Sequence, residues 1–544
     1  MLYASTIFVS AFLLFLIQPL IAKQILPWFG GTAAVWTVCL VFFQLVLLAG
    51  YVYADRLSRL APRRQAIVHT VLVLAACAML PILADVGWKP AGDEDPTLRI
   101  LALLAATIGL PYLAVCTTGP LVQSWFARAH AGDAKQSRVY RLFALSNLAS
   151  LAALVAYPFA LEPYVTLRAQ GWAWSAGFVL FAVLVIASAW ATEKRVRTRA
   201  TAAAAGPTSS HGDATLAQLA APSLGGYLLW LCLAALGTVM LLAVTAHITQ
   251  DVASVPFLWI VPLALYLLTF ILCFDSDRWY RRWLFWPAVL LLTPVMGWYL
   301  NTPQRSMPIA AAIGLFCVGL FAICMFANGE LARARPGPER LTRFYLLMSL
   351  GGAVGGIFAG VVAPHFFNGY WELPASLALP GLLMLWLTRA RQQWVWSVFA
   401  FAVVAGFTAF LRMDAVSVSL NVLYASVGAL ACFAVGYTAW RARSWTAAAG
   451  LAGALASMAV AWLTVYSVVE ADNRTMLRVR NFYGALRVEQ FGIPGAATAY
   501  RRLMHGVISH GEQLQGTMQR RLPTTYYGPE SGAGLALLRR AMGQ

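Results

Sequence analysis

The sequence predicts an all-α polytopic membrane protein: two parallel six-helix repeats, about three extra spans and a small β-rich C-terminal tail. Three observations carry this. Hydrophobic residues make up 60% of the 544-residue chain and charged residues only 11%, far from soluble averages. Apolar runs of about 20 residues, the length that crosses the hydrocarbon, recur up to Glu470. The loops between them alternate in charge: of 39 Lys and Arg, 23 lie in seven alternate loops, 6 in or beside the opposite loops and 10 after Glu470. The net charge of +18 therefore mostly encodes topology in a lipid bilayer, and no nucleic-acid partner is expected.

Spans are expected at about 4–22, 33–54, 66–85, 98–118, 140–161, 170–192, 225–248, 254–274, 283–300, 308–328, 342–363, 372–388, 393–411, 417–439 and 446–468. Basic loops follow the even-numbered spans, and acidic or neutral connectors follow the odd ones. Short Lys/Arg-rich loops stay in the cytoplasm, so the N-terminus is expected there. Fifteen spans put the tail outside; an even count would put it inside. The first 22 residues have no basic n-region and flow into a second span, unlike a cleaved signal peptide. All eight cysteines fall in apolar runs without zinc-type clustering and read as small buried hydrophobes, with neither disulfides nor a metal site expected.

Span 1 carries Gln18-Pro19, then Lys23 and Trp28. Proline removes a backbone donor, so a break in the helix is expected, tolerated where neighbours or a water cavity satisfy the freed backbone. Lys23 and Trp28 read either as interface anchors or as a cavity entrance, with Lys23 meeting an anionic group. Span 2 holds Gln44 and ends in Gly50-Tyr-Val-Tyr-Ala-Asp55-Arg56-Leu-Ser-Arg59-Leu-Ala-Pro62-Arg63-Arg64. A reduced copy, Phe274-Asp275-Ser-Asp277-Arg278-Trp-Tyr-Arg281-Arg282, follows span 8. Each reads as a charged anchor or as a conformational turn (Asp55, Arg56, Asp277, Arg278). Recurrence at the matching place in a second half points to duplication.

After span 6, Glu193 to Arg199 leads into an Ala/Ser/Gly/Pro-rich segment too poor in large apolar residues to pack. Residues 193–223 are therefore expected as a flexible basic cytoplasmic linker. Spans 7–12 repeat the plan of spans 1–6, with starts offset by about 221 for the first two pairs and about 202 for the last two. Both halves start on the same side, which makes the repeat parallel. Spans 5 (Arg141-Leu-Phe-Ala-Leu-Ser146-Asn147) and 11 (Phe344-Tyr-Leu-Leu-Met-Ser349-Leu) begin alike. Span 11 adds Gly351, Gly352, Gly355, Gly356 and Gly360, a stripe that suits close helix packing or a hinge.

Charges inside a membrane are costly, and this chain has almost none near mid-span. The candidate solute-binding residues are Gln18, Lys23, Gln44, Asn147, His247, Gln250 and Asp251. His247 and Asp251 share a helical face if the helix persists, either to hold a proton or as a solvated helix end. No Walker-type phosphate loop occurs, which excludes an ATPase.

Beyond span 15, Leu477 to Val488 alternates like a half-exposed strand, and Tyr500 to Gln513 reads as a second strand and turn. A short helix is expected from about Gly534 to Met542.

The Asp55 turn resembles the one major facilitator transporters carry between helices 2 and 3. The tail's Arg480-Asn481-Phe482-Tyr483-Gly484, the His505-Gly506 and His510-Gly511 pairs, and Pro523-Thr-Thr-Tyr526-Tyr527 resemble the soluble module of bacterial membrane-fused spermidine-synthase-like proteins. The Gln18-Pro19 to Trp36 stretch resembles their membrane portion. The resemblance implies a bacterial inner-membrane protein whose small β domain precedes a Rossmann-like domain binding decarboxylated S-adenosylmethionine. Here His505 stands for the acid of the family's Asp-Gly turn, and Ser509 for its cofactor-contacting glutamine. Tyr526 or Tyr527 matches the tyrosine of a Tyr-His-Glu segment, with no His-Glu following.

The sequence ends at Gln544, where the Rossmann domain of those enzymes would begin, and only Glu489, Glu512 and Glu530 follow Arg478 as carboxylates for a polycation. The chain is therefore expected to be non-catalytic by itself and to hold no cofactor, the nucleoside entering only if a separate Rossmann-domain protein supplies its site. The expected division is 1–192 and 224–390 for the two membrane halves, 391–469 for three extra spans and 470–544 for a partial β domain. The expected function is transporter-like, for a small organic solute such as a polyamine. The alternatives are a membrane-tethered aminopropyltransferase subunit and a non-transporting scaffold.

Overall fold

The computed structural model describes residues 1–90, 95–130, 139–204, 223–251, 256–300, 307–336, 341–388 and 445–541, apart from 495, 497, 507, 523, 526 and 527. Backbone contacts divide the chain into two compact units. One comprises Met1–Thr249, Ser254–Tyr280 and Ala327–Val361; the other comprises Gln250–Ala253, Arg281–Phe326 and Val362–Gln544.

The first unit contains α1 (Leu2–Ile25), α2 (Ala33–Ser58), α3 (Pro62–Cys77), α4 (Pro96–Ala129), α5 (Val139–Ala156) and α6 (Leu167–Ala204). It also holds α7 (Leu224–Asp251) up to Thr249, α8 (Pro256–Asp275), the end of α10 (Ile309–Arg333) and α11 (Leu341–Ile357). Among the described residues nine helices are long and apolar enough to cross a membrane: α1, α2, α4, α6, α7, α8, α9 (Arg282–Leu300), α10 and α11. Helix is the form such sequences take because hydrocarbon offers the backbone no partner outside its own segment.

The packing repeats when six is added to each helix number. α1 packs on α5; correspondingly, α7 packs so closely on α11 that a Cβ at Gly351 would lie 2.5 Å from the Leu231 carbonyl oxygen. α2 packs on α4, and α8 is joined to α10 by Asn328 Nδ2 donating to Thr269 Oγ1 at 3.0 Å. α2 packs on α11, and α8 on α5, the same pair after one exchange of the halves. α5 and α11 also both end in a five-residue π-helical turn, Tyr157–Leu161 and Phe358–Val362. The parallel duplication read from the sequence is thus present in the helix contacts.

In the second unit, α12 (Ala363–Phe366), α13 (Glu372–Ser376) and α14 (Leu379–Thr388) precede α15 (Trp445–Arg474). α14 and α15 meet at facing glycines: a Cβ at Gly381 would lie 2.0 Å from the Gly453 carbonyl oxygen. α15 runs into an antiparallel sheet ordered β1 (Thr475–Asn481), β2 (Gly484–Phe491), β3 (Tyr500–His505) and β4 (Ile508–Leu514), followed by α16 (Gly532–Ala541).

Several sequence-based boundaries shift, each for a local reason. The expected third span stops at Cys77, short of Pro81, whose nitrogen cannot continue a helix. The expected span 372–388 is two pieces, because Pro380 lacks the N–H that would bond Ser376. The segment 193–204, expected to be flexible, continues α6: its alanines are strong helix formers, and Glu193 and Arg197 approach to 3.7 Å one turn apart. The single strand expected over 477–488 is a hairpin, because Asn481 Oδ1 accepts from Tyr483 N at 3.0 Å and Gly484 (φ +147°) turns the chain back. The spans expected at 393–411 and 417–439 lie outside the described residues.

Candidate functional site

Pro19 does not break α1. The helix runs through it to Ile25, and the buried Gln18 amide donates to the Leu14 carbonyl at 3.5 Å and to the Tyr112 hydroxyl at 3.3 Å. Tyr112 comes from α4, where its ring packs against Phe42 and Phe43 of α2, with centroids 6.4 and 5.0 Å away. A polar pair crossing α1 to α4 inside the bilayer is satisfied by its own members, as a dry setting requires.

The glycine stripe of α11 divides between two partners. Gly351 and Gly355 face α7, where a Cβ would stand 2.5 Å from the Leu231 carbonyl oxygen and 2.6 Å from that of Ala235. Gly352 faces a polar notch: a Cβ there would lie 3.0 Å from Gln44 Oε1 and 3.4 Å from Thr238 Oγ1. Ser349 lies one turn earlier on α11. Thr238 and Ser349 are 1% and 6% exposed, and among the described residues neither hydroxyl has a partner. The helical norm in this chain is different. Thr6, Thr118, Thr192, Thr245, Thr249 and Thr293 each donate to the carbonyl four residues back. Gln44 and Thr238 therefore bring uncharged hydrogen-bonding groups of α2 and α7 to Gly352 of α11, with the Ser349 hydroxyl one helical turn away, a set suited to a polar solute without burying an ion of its own.

The other candidates are placed as follows. The anionic group that Lys23 meets belongs to the chain itself: Lys23 Nζ is 2.5 Å from Glu162 Oε1, with both side chains partly exposed. Lys89 lies 5.7 Å over the Trp28 ring. Asn147 is buried on α5, which packs against α1 and α8. α7 persists through Asp251, so His247, half-buried, and Asp251 stand one turn apart; the Gln250 and Asp251 side chains lie outside the described residues.

The two charged turns are tied down in parallel ways. Asp55 pairs with Arg59 at 2.5 Å, and Arg56 is exposed. Gln65 Nε2 donates to the Leu60 carbonyl at 2.6 Å while its Oε1 accepts from Trp125 Nε1 at 2.9 Å, and Arg128 donates to the Ser58 carbonyl at 2.8 Å. The α2–α3 turn is thereby fastened to α4. In the second half, exposed Asp277 lies 3.9 Å from Arg335, and Arg278 covers Trp279. Tyr280 donates to the buried Glu330 of α10 at 2.7 Å, its ring filling the space a Cβ at Gly329 would take. Composition alone did not single out Gln65, Trp125, Arg128 or Tyr280. The signal was their spacing: Arg128 and Glu330 differ by about 202, the offset of the later repeats.

In the tail, His505-Gly506 forms the expected turn, with Gly506 at φ +59°. Gly484 leaves room for His505, whose Nε2 would lie 2.3 Å from a Cβ there, and the His505 and His510 rings are 5.7 Å apart. Tyr483 is exposed beside the Asn481 turn, and Tyr526 and Tyr527 lie outside the described residues. Glu489 and Glu512 are each engaged at 2.7 Å, by Arg487 and Arg502. A feature not foreseen is a buried ion pair: Arg480 grips Glu372 through two bonds of 2.9 Å, with side chains 6% and 4% exposed.

No protein-family model matches this chain, and no curated protein does. Among solved structures it is similar to a peptide transporter, POT, in complex with alafosfalin: identity is 15% over 70% of this chain and 93% of that one, with a TM-score of 0.44. It is also similar to a bacterial homologue of the iron transporter ferroportin in an outward-facing state with soaked iron, at 15% identity over 70% of this chain and 97% of that one, with a TM-score of 0.40.

Proposed function

We propose that this chain is a major facilitator-like transporter of a small organic solute, with its N-terminus in the cytoplasm of a bacterial inner membrane. The observation that carries the reading is the notch of Gln44, Thr238 and Ser349 between helices drawn from both repeats. Hydroxyls that forgo the usual helical back-bond inside a membrane are expected where a ligand or water completes them. The polyamine that the tail's resemblance implies is the first solute to assay. Uptake of putrescine and spermidine into vesicles reconstituted with the full chain, above protein-free vesicles and competed by unlabelled solute, supports the polyamine assignment. Uptake of neither, with uptake of another small polar solute, replaces the polyamine and keeps the transporter.

A second reading is favoured by the four-stranded antiparallel tail with its positive-φ turn at Gly506. It makes the chain the membrane subunit of an aminopropyltransferase whose Rossmann domain, with decarboxylated S-adenosylmethionine, comes from a separate protein. The Arg487 and Arg502 pairings reduce the carboxylates free for a polycation. Absence of methylthioadenosine release with a co-purified Rossmann partner removes this reading.

A further inference from the structure

Two tryptophans meet at equivalent positions of the two repeats. Trp36 is the fourth residue of α2 (Ala33–Ser58) and Trp259 the fourth of α8 (Pro256–Asp275), the helix that corresponds to α2. Their rings stack with centroids 5.2 Å apart and planes 15° apart, each residue 1% exposed. When two halves are related by a two-fold rotation, equivalent residues touch only on or beside the axis. The stack therefore sits on the line along which α2, α5, α8 and α11 of the two halves face one another. That line is where a solute path between parallel repeats must run.

We infer that Trp36 and Trp259 are the gate closing this path at the end where α2 and α8 begin. Stacked aromatic rings hold the closed form, beyond the area they bury. Opposing it, neither indole N–H has a partner among the described residues, and a buried donor left unpaired works against the state that buries it. Parting the rings lets solvent or solute satisfy both donors, so the contact is suited to opening and reclosing. Its meaning rests on the transport reading, but its readout does not, because opening is measured without solute.

Cys39, fully buried one turn further along α2, is a native reporter. The full chain in vesicles is exposed, from the side where α2 begins, to a membrane-impermeant maleimide, and labelling of Cys39 is followed by peptide mass spectrometry. Trp36→Ala and Trp259→Ala should each speed labelling by on the order of tenfold, the scale of a lost aromatic pair. Trp36→Phe and Trp259→Phe, which keep a ring, should stay within about threefold of the unaltered protein on the same scale. Leucine at either position gives the same reading as alanine should alanine prevent folding. Unchanged Cys39 labelling in folded alanine or leucine variants overturns the gate, whatever uptake shows. Absent uptake with faster labelling would instead count against the transport reading alone.

Discussion

Arg480 and Glu372 form a pair whose removal has a calculable consequence. Arg480, on β1, donates to both Glu372 oxygens at 2.9 Å and to the Gly369 carbonyl at 2.5 Å, and its guanidinium lies 4.3 Å from the Tyr370 ring centroid. With side chains 6% and 4% exposed, neither charge is hydrated, so losing one partner strands the other. That costs about 3–5 kcal/mol for a buried pair, while replacing both charges together is near neutral. Glu372→Gln and Arg480→Met should each destabilise by that amount, and the double variant should recover most of it, so that the coupling in a double-mutant cycle approaches the sum of the two single losses. Denaturant titration of the detergent-solubilised chain, with limited proteolysis of the tail, supplies both readings. Single variants within about 0.5 kcal/mol of the unaltered protein, with the sheet still protease-resistant, would refute the idea that this pair anchors the tail.

Other predictions follow from close contacts. Gly351→Ala and Gly355→Ala must push α7 away from α11 and should each destabilise by about 1–3 kcal/mol. Gly352→Ala meets only the movable end of Gln44 and the Thr238 hydroxyl and should cost less; equal losses in thermal unfolding would contradict this assignment of faces. Tyr280→Phe removes one hydrogen bond to the buried Glu330 and should destabilise by about 1–3 kcal/mol, with Glu330→Gln milder because no charge remains buried. Trp125→Phe removes the indole bond to Gln65 and should raise protease cleavage at the α2–α3 turn severalfold; unchanged cleavage would show that the turn needs no tie to α4. Gln18→Leu should destabilise by about 1–2 kcal/mol at most, because Tyr112 loses a neutral partner; uptake unchanged by Gln18→Ala and by Asp251→Asn would remove both from the solute site.

Much of the architecture was legible because membranes impose simple rules. Runs of about 20 apolar residues became helices, the charged turn and its reduced copy marked a duplication, and the tail's alternation announced strands. What failed to show were events that depend on a second segment. Gln18-Pro19 looked like a break because the sequence does not reveal that Tyr112, far along the chain, would complete the Gln18 amide. Leu477 to Val488 looked like one strand because Asn481-Phe482-Tyr483-Gly484 turns only through a local side-chain bond and one glycine conformation. Gln44 was visible as a polar residue in an apolar run, whereas Thr238 and Ser349 were not. Buried Thr and Ser in helices usually bond their own backbone, and only the neighbouring helix reveals that these two do not. The Arg480–Glu372 pair was hidden for the same reason, its members lying on elements more than a hundred residues apart.

The most direct test of the solute path is uptake by reconstituted protein carrying Gln44→Leu or Thr238→Val. A panel of amines, polyamines and uncharged polar solutes is offered to vesicles of known orientation. At least one solute should enter faster than into protein-free vesicles, and each substitution should slow it about tenfold while leaving thermal stability within about 1 kcal/mol, the scale of one hydrogen bond to solute. Uptake that persists unchanged in both variants, or no uptake of any solute by folded protein, would contradict a solute path through Gln44, Thr238 and Ser349.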